Sequence, residues 1–269
     1  MTMLETTAVL QAPRLGQVQV LFPRAQPGGR DQNQEWCIVQ FNGTRKRIRF
    51  HDYHEVFAIP GLYEHLFYQR LKCNSPEVVC SLLERQVRET STRMSELAAL
   101  DIGAGNGMVG EELAERGVDS VVGVDIIEEA AEAAQRDRPG VYEKYFVADL
   151  TDLPADVVDQ LEQTELNCLT TVAALGYGDI PPAAFARAYN LISTPGWVAF
   201  NIKESFLTDG DSTGFAGFTR RMIRSGIMRV RVMHRYRHRL SIAGEALHYM
   251  AIVATKESNI PETWLVQLD

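Results

Sequence analysis

The sequence predicts an α/β protein with a doubly wound sheet, and three observations carry that prediction. Short apolar runs alternate with stretches of helical periodicity from residue 98 to residue 224, the pattern of strands joined by crossover helices. The first three runs each end in, or lead into, a carboxylate: Asp101, Asp125 and Asp149. The first run also passes straight into Gly103-Ala104-Gly105-Asn106-Gly107, a tight turn where backbone lacking Cβ can lie against a ligand.

The elements follow in order. Residues 1–15 show no periodicity and are read as a loose tail. Residues 17–21 suit a short strand, and 22–34, rich in Pro, Gly, Gln and Arg, a mobile loop. Two strand-like runs, 36–41 and 44–50, are joined by Asn42-Gly43, which tolerates the positive φ angles of a type I′ hairpin turn. Arg45, Arg47 and Arg49 share one face of the second run. That face reads as a solvated edge guarded by its cations, with a partner surface as the alternative.

Residues 51–71 are dense in aromatics (Tyr53, Phe57, Tyr63, Phe67 and Tyr68) and are interrupted by Pro60-Gly61. Ser75-Pro76-Glu77 opens a helix, with Ser as N-cap and Pro in the first turn. After the glycine turn, Met108, Val109 and Leu113 form the apolar side of a helix and Glu111, Glu112 and Glu115 its polar side. Strands are predicted at 121–126, 145–150, 166–173 and 197–202, and helices at 155–165, 181–191 and 215–224. Two last strands, 227–241 and 247–256, join around Gly244.

Gly105, Gly107 and Gly110 satisfy the dinucleotide pattern G-x-G-x-x-G. Asp101, two positions before the first glycine, changes that reading, because a carboxylate beside the turn suits a cationic ligand better than a pyrophosphate. Asp125 stands about twenty residues downstream, where a ribose diol is gripped in either class. The alternative for Asp125 and Asp149 is helix capping.

On these residues the chain resembles the class I S-adenosylmethionine-dependent methyltransferases, over roughly residues 75–256. The resemblance implies a seven-stranded Rossmann-like sheet whose last strand is antiparallel. It implies S-adenosylmethionine as cofactor and S-adenosylhomocysteine as product. Gly103, Gly105, Asn106 and Gly107 would carry the methionine moiety with Asp101 beside it. Asp125 would hold the ribose hydroxyls, Ile126 would pack on the adenine, and Asp149 with Leu150 would meet the adenine edge. Residues 73–269 would be the methyltransferase domain, and residues 1–72 an extension of tail, hairpin and helical lid over the cofactor.

The 269 residues are 45% hydrophobic and 23% charged, with 35 acidic against 27 basic side chains. This balance argues against broad electrostatic capture of nucleic acid, which needs clustered cations. Cys37, Cys73, Cys80 and Cys168 contain no C-x-x-C pair, so reduced thiols are expected. Without a signal-peptide pattern or a run of eighteen apolar residues, the expectation is a soluble cytoplasmic protein with no membrane partner. Neither His51 with His54 nor His234 with His238 has a third ligand at a suitable spacing, so no metal is expected.

The acceptor should lie outside the carboxyl ends of the parallel strands, near 174–179, Lys203-Glu204-Ser205-Phe206 and His248. Asp179-Ile180-Pro181-Pro182 does not match the Asn/Asp-Pro-Pro-aromatic motif of enzymes that methylate planar amino groups, since Ile180 intervenes and Ala183 replaces the ring, and a helix start with Pro181 in its first turn explains it better. The segment resembles small-molecule methyltransferases, many of which carry His where Tyr177 stands. Candidate bases are His51, Tyr177, Glu204 and His248. Arg229, Arg231, Arg235, Arg237 and Arg239 alternate along one predicted strand face, read as solvated or covered in a homodimer. The leading expectation is methyl transfer to O, N or C of a small molecule. The alternatives are a protein or RNA methyltransferase, a non-catalytic S-adenosylmethionine-binding protein and, last, an NAD-dependent oxidoreductase.

Overall fold

The computed structural model describes residues 4–12, 15–23, 34–175, 179–207 and 214–265. Its backbone divides into two compact units, Met1–Asn74 with Arg237–Leu247, and Ser75–Tyr236 with His248–Asp269.

The smaller unit is built on an antiparallel meander: β1 (Leu4–Ala12), β2 (Gly16–Pro23), β3 (Trp36–Phe41) and β4 (Thr44–Arg49), neighbours in that order. The first of these overturns the loose-tail expectation for residues 1–15. β1 is an edge strand with a register shift between Thr6 and Ala8, and an irregularity there breaks the two-residue alternation by which a strand is recognised. The β3–β4 turn is as predicted, with Asn42 at φ 48 and Gly43 at φ 76.

One face of the meander presents Val18, Val20, Phe22, Cys37, Val39 and Ile48. α1 (Tyr53–Phe57), α2 (Leu62–Glu64) and a π-helical turn, His65–Arg70, bring Val56, Leu62, Leu66 and Phe67 into the same core. Rings of the aromatic segment thus pack within this unit. Tyr63 lies 4.7 Å from Phe57 and 4.9 Å from Phe67 between ring centroids, and Phe67 meets Phe50 edge-on at 5.9 Å.

The cations of β4 have partners close by. Arg49 pairs with Asp52 at 2.7 Å, Lys46 with Glu55 at 2.9 Å, Arg45 donates to Gln40, and Arg47 lies 4.5 Å over the Trp36 ring. Arg239 belongs to this unit too, and it departs from the expected solvated arginine face. Its guanidinium is 1% exposed and 2.7 Å from the wholly buried carboxylate of Glu35. A buried carboxylate requires a counter-charge, and Glu35 also accepts the Ile242 N–H. No strand periodicity announces a partner so far away in sequence.

The larger unit opens with α3 (Ser75–Arg88) and then alternates β5 (Ala98–Ile102), α4 (Met108–Glu115), β6 (Ser120–Asp125), α5 (Glu128–Asp137), β7 (Lys144–Val147), α6 (Ala155–Glu162), β8 (Cys168–Thr171), α7 (Pro182–Leu191) and β9 (Gly196–Lys203). α8 (Phe215–Arg224), β10 (Met228–Leu240), β11 (Ala246–Lys256) and α9 (Glu262–Leu265) follow. The seven strands stand in the order β10-β11-β9-β8-β5-β6-β7. β5 to β9 pair in parallel, and β11 runs antiparallel to β9.

Strand residues alternate between two cores, as two-sided burial requires. Ala99, Val121, Cys168 and Ala199 join the core containing Val79, Leu83 and Leu113 of α3 and α4. Leu100, Val122, Leu169 and Phe200 join the one containing Leu161, Phe185 and Phe218 of α6, α7 and α8. The chain leaves β5 toward β6 on one side and returns to β8 on the other. That reversal of strand order opens a crevice at the carboxyl ends, where such sheets bind ligands.

Candidate active site

The glycine turn leaves β5 at this reversal. Gly103, Gly105 and Gly107 have φ of 66, 54 and 90, a region that L side chains enter only with strain. Gly103 and Ala104 both donate to the Val124 carbonyl, at 2.9 and 3.2 Å, tying the turn to β6. A Cβ on Gly103 would stand 2.7 Å from that of Ala174, so only glycine lets the segment after β8 pass. Gly110 has a different reason: its Cβ would strike the Tyr142 ring at 2.9 Å. The dinucleotide-like glycine spacing thus comes in part from an aromatic ring packed against the helix.

Asp101 is wholly buried. Its two carboxylate oxygens accept the hydroxyls of Tyr142 at 2.8 Å and Thr170 at 2.9 Å. Burial pushes its pKa up to about 7, opposed by those two hydrogen bonds. Asp125, half-buried at the end of β6, accepts the amides of Gly105 at 2.9 Å and Ile127 at 3.0 Å. Burial raises its pKa as well, with the amides of Gly105, Ile127 and Ile126 working against that. Next to it Ile126 is 61% exposed, an apolar surface that no packing among the described residues covers.

Asp149 follows β7, exposed, and accepts both the hydroxyl and the amide of Thr151. Those bonds, the hydroxyl's first, hold its pKa below the usual carboxylate range. Leu150 beside it is buried. Asn106 is buried and donates to Asp137 at 3.2 Å. The structure therefore brings Gly103, Gly105, Asn106, Gly107, Asp125 and Ile126 to the carboxyl ends of β5 and β6, with Asp149 and Leu150 just after β7. Asp101 points into the sheet instead.

The candidate bases that are described belong to both units. Tyr177 lies outside the described residues. His51 belongs to the smaller unit, its ring edge-on to Tyr53 at 5.5 Å. Glu204 is exposed after β9 and paired with Arg235 at 3.0 Å. His248 is half-buried near the start of β11. Two residues that the sequence did not single out, Asn201 and Tyr236, brace the segment leaving β8. Asn201 is wholly buried, accepts the amide of Ala173 at 2.7 Å and donates to the Tyr236 hydroxyl at 2.6 Å. That hydroxyl in turn meets Ser75 Oγ at 2.7 Å. Ala173 sits at φ 60, so Asn201 secures a strained turn leading out of β8. Among the described residues no group of three or more His, Cys, Asp or Glu is placed to hold a metal ion, and no helix is long and apolar enough to cross a membrane.

A glycine turn at the strand-order reversal of this sheet is the arrangement of a nucleotide-binding α/β domain. Residues 99–196 match the family model described as a methyltransferase domain. Among solved structures, the Thermoplasma acidophilum protein 1320 is 15% identical, with a TM-score of 0.50 over 78% of this chain and 98% of that one. A SAM-dependent methyltransferase from Anabaena variabilis is 12% identical, with a TM-score of 0.49 over 68% and 86%. One from Mesorhizobium loti is 15% identical, with a TM-score of 0.45 over 64% and 96%. At these identities the likeness is one of fold. The comparison with curated proteins gives no match. Residues 99–196 thus carry the match to a methyltransferase domain, which implies S-adenosylmethionine as cofactor and S-adenosylhomocysteine as product.

The residues present fit that cofactor. An exposed isoleucine directly follows a half-buried carboxylate at the end of β6, and the turn facing them carries no side chain at three positions.

Proposed function

We propose that the enzyme methylates an oxygen, nitrogen or carbon atom of a small molecule held in the crevice beyond β5, β6 and β8. The bound cofactor supplies a methyl group on an already activated sulfonium. Much of the acceleration then comes from holding acceptor and methyl in line. Gly103, Gly105, Asn106 and Gly107 receive the methionine portion, Asp125 holds the ribose hydroxyls, and Ile126 lies against the adenine, with Asp149 and Leu150 at its edge. Asp101 braces the turn. Asn201, by fixing Ala173, sets the course of the segment that borders the acceptor. A base is needed only where the acceptor gives up its proton. His248 is favoured over Glu204, whose carboxylate is engaged by Arg235, and Tyr177 and His51 remain candidates.

The observation that supports a small acceptor is the fate of the cations. Arg45, Lys46, Arg47 and Arg49 in one unit have partners there, as do Arg229 and Arg235 in the other. A chain with net charge -8 and these six cations so engaged is poorly made for tracking a phosphate backbone.

Incubation with methyl-labelled S-adenosylmethionine and a cell extract, separated into small-molecule, RNA and protein fractions, tests this. Label is expected in the small-molecule fraction. Label confined to RNA or protein would refute the acceptor class while leaving methyl transfer intact.

A further inference from the structure

We propose that Tyr145, Tyr142 and Arg138 are positioning residues that preset the cofactor turn from behind, an inference that rests on the cofactor assignment above. Three successive carbonyls of the turn are approached by side chains of one segment, 138–145. The Tyr142 hydroxyl lies 3.3 Å from the Ala104 oxygen, Tyr145 donates to the Gly105 oxygen at 2.9 Å, and Arg138 Nη1 donates to the Asn106 oxygen at 3.3 Å. In a trans peptide the carbonyl and the following N–H point opposite ways. The Tyr142 proton goes to Asp101, so it is the donations to the Gly105 and Asn106 carbonyls that fix the N–H directions of Asn106 and Gly107. The Gly105 N–H is fixed separately, by Asp125 Oδ2 at 2.9 Å.

The holding groups are themselves immobilised. A Cβ on Gly110 would come within 2.9 Å of the Tyr142 ring and one on Gly123 within 3.2 Å, so the ring sits in a notch that these two glycines leave open. Its hydroxyl is held by Asp101, whose other oxygen is held by Thr170. Arg138 is anchored to Glu111 at 2.7 Å. A turn with glycines at three of five positions has unusual freedom to lose when a ligand binds. Ordering it beforehand lowers that loss and shows as affinity.

The test is calorimetry with S-adenosylhomocysteine on the full chain, with hydrogen exchange of amides 103–107 in the ligand-free protein. Tyr145→Phe and Tyr142→Phe keep the rings and remove the hydroxyls. Each should weaken binding about 3- to 10-fold, with the deficit in entropy and faster exchange of the turn. Asp125→Ala serves as the control for the assignment itself. Unchanged affinity and exchange in both tyrosine variants, with Asp125→Ala still weakened, would overturn the positioning role alone. A purely enthalpic loss with unchanged exchange would also overturn it, since it indicates direct contact with the ligand. Wild-type protein that fails to bind S-adenosylhomocysteine would overturn the cofactor assignment.

Discussion

Replacing Asp101 by Asn should make the protein less sensitive to rising pH. The carboxyl is wholly buried, and its pKa stands at about 7 against an ordinary 3.8. Folding thus favours the protonated form. Between these two values the folded chain binds more protons than the unfolded one, and stability falls as pH rises. With those two pKa values, linkage gives a loss of about 2–3 kcal/mol between pH 5 and pH 8 from this group. Asparagine carries no titrating proton and can still engage the hydroxyls of Tyr142 and Thr170. The melting temperature of Asp101→Asn relative to wild type should accordingly rise by roughly 5–10 °C from pH 5 to pH 8, at about 2–4 °C per kcal/mol for a chain near this size. Circular dichroism melts of both proteins at half-unit pH steps, without cofactor, measure it. Parallel curves across that range would refute a carboxyl held neutral by burial.

Asp125→Ala should weaken S-adenosylhomocysteine binding by about 1–3 kcal/mol through unpaired ribose hydroxyls, and calorimetry should find NAD much the weaker ligand for wild type. Arg239→Met leaves the buried Glu35 carboxylate without its counter-charge and should cost about 3–5 kcal/mol in urea unfolding, while adding Glu35→Gln should recover part of it. A double variant no better than the single would mean that the pair is not electrostatically coupled. Asn201→Ala removes the acceptor of the Ala173 amide and the donor to Tyr236, for a loss of about 1–3 kcal/mol per group left unsatisfied. An unchanged urea midpoint would show that the buried network can close without it.

The parallel sheet was legible because strands buried on both faces are written as unbroken apolar runs, and the aspartates punctuate their ends. The hairpin turn at Asn42-Gly43 was legible from the conformations those residues tolerate. β1 was hidden because an irregular edge strand, half of it facing solvent, keeps no clean alternation. The site was readable where backbone freedom or a strand end dictates the residue type, at the glycines and Asp125. Tyr142, Tyr145 and Asn201 act through contacts between segments far apart in sequence, so nothing local marks them. For Arg239 the local pattern misled: four neighbours in the alternation are exposed, and only Glu35, distant in the chain, draws the fifth inward.

That distance gives the smaller unit an awkward birth. Glu35 and Ile242, joined by a hydrogen bond, are 207 residues apart. At a ribosome's pace of about 5–20 residues per second, the carboxylate waits roughly 10–40 s for the strand that neutralises it. Until then the meander has its apolar face and its helices but an uncompensated acid in its interior. A gene fragment ended after Asn74 would leave that wait unresolved, so the first quarter of the chain is not a module to be cut out and transplanted. Supplying residues 237–247 through a circular permutation that begins the chain near Arg237 is the rearrangement that would let it close early.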